Sequence, residues 1–114
     1  MFNFCLLSGI VVSVPTLTCY GKGNPVTEFT LEIRMRNHRG GIIQVKCHSS
    51  LAVRVAKHID TGDRIAVAGF LTRDINRADN ETYMNDLRLV AEELEVLRKV
   101  PSIEPEPSGE DSLL

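Results

Sequence analysis

At 114 residues, 43% of them hydrophobic and 25% charged, the chain has the length of one domain and the composition of a folded one. No apolar run in it approaches the ~20 residues of a membrane helix, and three cysteines without CxxC spacing make no disulfide framework, which points to the reducing cytosol or an organelle matrix. The formal charge of −2 conceals an asymmetry: residues 1–99 hold all 13 Lys and Arg against 11 Asp and Glu, while residues 100–114 hold four acids and no base.

Residues 4–20, rich in Val, Ile and Leu, read as one long strand buried on both faces and bent or bulged at Gly9. The apolar start does not read as a signal peptide, because the first basic residue is Lys22 and Asn3, Ser8 and Ser13 interrupt it. Gly21, Gly23, Asn24 and Pro25 form the strongest turn signal. Residues 26–36 alternate, with Thr27, Phe29, Leu31, Ile33 and Met35 inward and Glu28, Thr30, Glu32, Arg34 and Arg36 outward. After a tight turn at Asn37–Gly41, a hairpin partner follows with Ile43, Val45 and Cys47 inward and Ile42, Gln44, Lys46 and His48 outward.

The period then changes. Ser49 or Ser50 can cap a helix over 50–59, in which Leu51, Val55 and Ile59 share one face, and Thr61-Gly62-Asp63 stops it. Residues 64–73 return to alternation, with Ile65, Val67, Gly69 and Leu71 inward. Asp74–Asn80 is a polar loop, 81–97 carries a final strand, and the prolines and acids of 100–114 predict a disordered tail behind a domain of residues 1–99. Five strands with one short helix between strands 3 and 4 make an all-β layout, that of a five-stranded OB-fold Greek-key barrel.

The stretch SSLAVRVAKHIDTGDRIAVAGFLTR (49–73) is similar to the helix-then-strand segment of bacterial and organellar single-stranded DNA-binding proteins through Leu51, Ala52, Val55, Ile59, Gly62, Asp63, Ile65, Val67, Gly69 and Leu71. Asn3, Cys5, Leu7 and Gly9 resemble that family's opening, residues 25–36 its second strand, and AEELEVL (91–97) its ending. Primosomal replication protein N, a more distant relative, is similar at LSGIV (7–11) and NPVTEFTLEIR (24–34). The resemblance implies a homo-oligomer, a tetramer rather than a dimer, that coats single-stranded DNA in replication, recombination or repair, in the cytoplasm with the nucleoid or in an organelle matrix.

The departures from that family matter. Its main stacking Trp position falls on Ile42, a second aromatic position on His48, and others near Asn37 and Asn76; the chain has no Trp. The loop between strands two and three is short, and the end is Glu-Asp-Ser-Leu-Leu instead of an acidic-Pro-Phe peptide.

Single strands need a cationic groove for phosphates and flat side chains for bases. The outer hairpin face offers Arg34, Arg36, Ile42, Gln44, Lys46 and His48, and the flanking loops offer Tyr20, Lys22, Arg39, Arg73 and Arg77, with Tyr83 entering the last strand. Tyr20, His48, Phe70 and Tyr83 are the stacking candidates. Alternation of Arg34 and Arg36 with Glu28 and Glu32 equally suits a solvated face of cross-strand ion pairs, Ile42 equally suits a subunit interface, and Tyr20 can simply close the first turn. In the tail, Glu110 and Asp111 can compete for a basic groove and Leu113-Leu114 can enter a replication or repair partner's apolar pocket; a merely solubilising end is the alternative. No nucleophile–base pair, phosphate loop or metal-ligand spacing stands out, so no enzyme, cofactor, metal or membrane is expected. The rival function is an oligomeric interaction module similar to primosomal replication protein N, with little DNA binding; an RNA-binding module is a third reading.

Overall fold

The computed structural model describes residues 1–20, 23–35, 38–73 and 87–101. In chain order they form β1 (Cys5–Val11), β2 (Thr16–Tyr20), β3 (Asn24–Met35), β4 (His38–His48), α1 (Ser49–His58), β5 (Arg64–Arg73) and β6 (Leu87–Arg98). One sheet runs β1-β5-β6-β4-β3-β2, and a further β1–β3 pairing closes it into a barrel. Every pairing is antiparallel except β4–β6. The expected five-stranded OB-fold is therefore present, with β1 and β2 as two pieces of its first strand.

That first strand departs from expectation. It breaks at Val12–Pro15, and β1 keeps an unshifted register to β5 through Gly9, from Cys5↔Gly69 to Ile10↔Arg64. Pro15 has no N–H to give a ladder, and Ser13 Oγ instead accepts the Thr30 amide at 2.8 Å. Nor is β1 buried on both faces: its residues alternate, and Leu6 on the outer side is 65% exposed. Gly9 serves a close approach, since a Cβ there would stand 2.2 Å from the Glu32 carbonyl oxygen where β1 passes from β5 to β3.

β4 also runs further into its connection with β3 than expected, starting at His38 in place of a turn through Gly41. The helix is capped by His48 in extended conformation without a side-chain hydrogen bond; Ser49, at φ 54, lies inside it. The left-handed Ser49 turns the chain abruptly from strand to helix, so both serines lie inside the helix and the cap position falls on His48.

The core is the inward set of the alternating strands, with Val11, Phe29, Leu31, Val45, Cys47, Ile65, Val67 and Leu89 closed from below by Ala52, Val55 and Ile59. Thr27 Oγ1, fully buried, donates to the Ala52 carbonyl at 2.8 Å and ties the helix to β3. Burial pushes the Cys47 thiol up to about 12.

A polar clasp holds the far end of β6. Asp63 is fully buried, receives the Asp60 amide and the Val100 amide at 2.8 Å each, and pairs with Lys99 Nζ at 2.7 Å. Lys99 also donates to the His58 carbonyl at the end of α1. Burial alone would raise the Asp63 carboxyl; the Asp60 amide, Lys99 and the Val100 amide outweigh it and hold it below its ordinary value. Hydrogen bonding to Asp63 raises Lys99 against desolvation. Residues 81–86 of the expected last strand, the loop 74–80 and the tail from 102 onward lie outside the described residues.

Candidate nucleic-acid interface

Strand registers order the outer surface into lateral rows. One row runs Glu28–Lys46–Val90–Phe70 across β3, β4, β6 and β5, and the next runs Thr30–Gln44–Arg88–Thr72. A third begins Ile42–Glu32. Each row is what period-2 alternation demands once the strands are aligned.

Charge on this surface is shared unevenly. Glu28 Oε2 lies 3.8 Å from Lys46 Nζ and 3.7 Å from Arg88 Nη1, so one carboxylate serves two cations. Both separations are long for ion pairs and the groups remain partly exposed, so each pair is worth only about 0.2–1 kcal/mol. Gln44 Nε2 donates to Thr30 Oγ1 at 3.0 Å beside them, presenting a polar strip that donors and acceptors of a base can meet. Arg34, exposed near the end of β3, makes no ion pair with another described residue. The cross-strand ion-pair reading thus holds for Glu28 and leaves Arg34 without an ion pair among the described residues.

Of the sequence-predicted residues, Lys46 and Phe70 fall in the same row. Ile42, 67% exposed, stands opposite Glu32; His48, exposed, stands opposite Val26. Phe70 is half-buried and Arg73 exposed at the end of β5. Lys22, Arg36, Arg77, Tyr83 and the tail residues Glu110, Asp111, Leu113 and Leu114 lie outside the described residues, as do the side chains of Tyr20 and Arg39. Arg88 was missed from sequence. Its outward position follows from alternation with Leu89, but its place beside Gln44 depends on the parallel β4–β6 pairing, which no local pattern announces. Among the described residues no group of three or more His, Cys, Asp or Glu is placed to hold a metal ion, and no helix is long and apolar enough to cross a membrane.

With that geometry in view, the sequence matches the family of OB-fold nucleic acid binding domains over residues 6–97. The chain belongs to that family. The OB-fold domain is similar in structure to a Plasmodium falciparum SSB solved as a complex with ssDNA, at a TM-score of 0.71 and 20% identity, over 85% of this chain and 96% of that one. A deletion mutant of the single-stranded DNA binding protein from Thermus aquaticus gives 0.69 at 24% identity, over 92% of this chain and 44% of that one. The SSB domain of a Synechococcus sp. protein gives 0.69 at 16% identity, over 83% and 96%. At these identities the likeness is one of fold. No curated protein matches the sequence significantly.

Proposed function

We propose that this OB-fold domain binds single-stranded DNA without sequence preference, as a non-enzymatic coating protein of replication, recombination or repair. The observation that carries the reading is the outer face on which Lys46 and Arg88 both meet one half-exposed carboxylate, while Arg34 has no ion pair among the described residues. A phosphate can replace a carboxylate held at 3.7–3.8 Å, because exposed pairs resist displacement weakly. Arg34, Arg36, Lys46, Arg73 and Arg77 are the phosphate contacts, with Lys22 and Arg39 from the loops; Tyr20, His48, Phe70 and Tyr83 are the stacking groups, and Ile42 meets a base face where relatives of this type place a ring. The tail acids and Leu113-Leu114 are assigned to partner proteins.

Affinity on this reading is reduced. Each base–aromatic stack contributes roughly 1–3 kcal/mol, and the described part of the face offers half-buried Phe70 and exposed His48 as its flat groups. Homo-oligomerisation offsets this by linking sites, and β1 supplies a surface for it. Outside its short pairing with β3, one edge of β1 is open among the described residues, and Phe4 and Leu6 beside it are exposed. A tetramer is favoured over a dimer, and the cytoplasm or an organelle matrix is the compartment proposed.

That same apolar edge favours the second reading, an oligomeric interaction module with little DNA binding. Titration of a dT oligomer at two salt concentrations, with light scattering for subunit number, separates the two. DNA coating predicts a log K against log salt slope near about −3 for roughly four neutralised phosphates. An oligomer with no measurable binding at low salt establishes the second reading instead.

A further inference from the structure

Two arginines meet where β1 passes from β5 to β3, and a third pairs with one of them across the sheet. Ser8, Gly9, Ile10, Glu32, Arg34 and Arg64 line a cleft of about 220 Å³ there. Arg98 stands directly opposite Arg64 across β5–β6. Like charges directly opposite in a sheet are destabilising, and none of these three guanidinium groups has an ion-pair partner among the described residues. Glu32, in the same cleft, leaves the group with an excess of positive charge. A pair that breaks the pairing rule, with one carboxylate set against three cations and no ion pair closed among the described residues, marks a place where an external anion completes the charge balance.

The cleft is continuous with the proposed interface. Successive registers give one row around the barrel, Ile42–Glu32–Ile10–Arg64–Arg98. At about 4.8 Å per strand, Arg64 lies roughly 14 Å along that row from Ile42. Arg34 stands two residues beyond Glu32 on β3 and lines the same cleft. Guanidinium forks suit phosphodiester oxygens, which they can hold in pairs. The absence of a Cβ at Gly9 keeps β1 close to the Glu32 carbonyl, so the cleft floor is backbone.

We propose that the Arg34–Arg64–Arg98 cleft is a second phosphate site, which receives the strand as it leaves the β3–β4 face. It rests on the single-stranded DNA reading above. The test compares the full-length protein with the double variant Arg64→Ala/Arg98→Ala on dT oligomers of about 6 and about 16 nucleotides, lengths at the low and high ends of OB-fold sites. The measurements use roughly 0.1 M salt, where screening acts over about 10 Å and isolates the face from charges removed in the cleft. The long oligomer binds the variant about tenfold more weakly, with a salt slope shallower by about 1.4 for two lost phosphate contacts, while the short oligomer binds both proteins alike. Equal loss for both lengths, or no loss for the long one, overturns the second site. Pyrophosphate binding at constant ionic strength that the variant abolishes, with both oligomers unaffected, assigns the cleft to a free phosphate compound and also overturns it. Failure of the unaltered protein to bind either oligomer refutes the DNA reading itself, a result distinct from the others.

Discussion

Glu28 is the residue whose removal separates a binding face from a stitched one. It holds Lys46 and Arg88 from positions on three adjacent strands. In Glu28→Gln the carboxylate charge disappears while the shape stays. A phosphate drawn to the two cations lies about one ion-pair distance from the old carboxylate, and two unit charges 4 Å apart in water interact by about 1 kcal/mol. Removing that repulsion tightens single-stranded DNA binding about fivefold. Freeing Lys46 for counterion exchange steepens the salt slope by up to about 0.7. The cost to the fold is at most two exposed pairs, each about 0.2–1 kcal/mol, so the melting temperature falls by about 10 °C at most. Anisotropy of a labelled dT oligomer at several salt concentrations, beside a thermal melt, measures all three quantities. Weaker or unchanged binding by a folded Glu28→Gln protein refutes the argument, because the three charges would then only join strands.

The clasp gives stability a defined pH dependence. Asp63 is depressed in the folded state, so its contribution is complete above the ordinary carboxylate range and is lost as pH falls through the folded value. Lys99 is raised, so its share is complete below the ordinary lysine range and is lost as pH rises through the raised value. Urea melts of Asp63→Asn should show about 2 kcal/mol less stability at neutral pH and a flatter acid limb; an unchanged acid limb would place the acid sensitivity elsewhere. Thiol titration at mildly alkaline pH should label exposed Cys19 quickly and Cys47, whose thiol burial raises to about 12, only on unfolding. Gly9→Ala, whose new methyl meets the Glu32 carbonyl, should cost roughly 2 kcal/mol or more; a melt within error of the unaltered protein would contradict the close approach.

Half-solvated strands were legible in the sequence because a single register error would turn their apolar set to water. Residues 64–73 and the inward row Thr27, Phe29, Leu31 appear as read. The outward placement of Ile42, Lys46 and His48 followed from the same alternation. What escaped depends on partners distant in the chain. The break after β1 is secured by Ser13 reaching the Thr30 amide, seventeen residues away. Arg88 joins the site because β6 lies parallel to β4, forty-four positions from Gln44. Asp63, read as a helix-stopping turn residue, is also the buried anchor of Lys99 and Val100. The helix cap failed for a local reason, since Ser49 sits in a left-handed conformation that serines rarely adopt.

The absence of Trp changes which force does the binding on the proposed reading. A face that reads bases by stacking keeps much of its affinity in high salt, because ring contacts do not depend on counterions. A face built from Lys46, Arg88 and Arg34 draws its affinity from counterion release and loses it steeply as salt rises. Ile42, exposed where a ring would lie flat, adds apolar contact but no ring stacking, so it cannot restore that salt-independent share. Useful affinity at physiological salt must then come from linked sites, where the second contact is intramolecular and its effective concentration replaces intrinsic strength. This makes assembly through β1 and DNA binding through β3–β4 parts of one mechanism: breaking the oligomer should weaken long oligomers far more than short ones, although no residue of the binding face has changed.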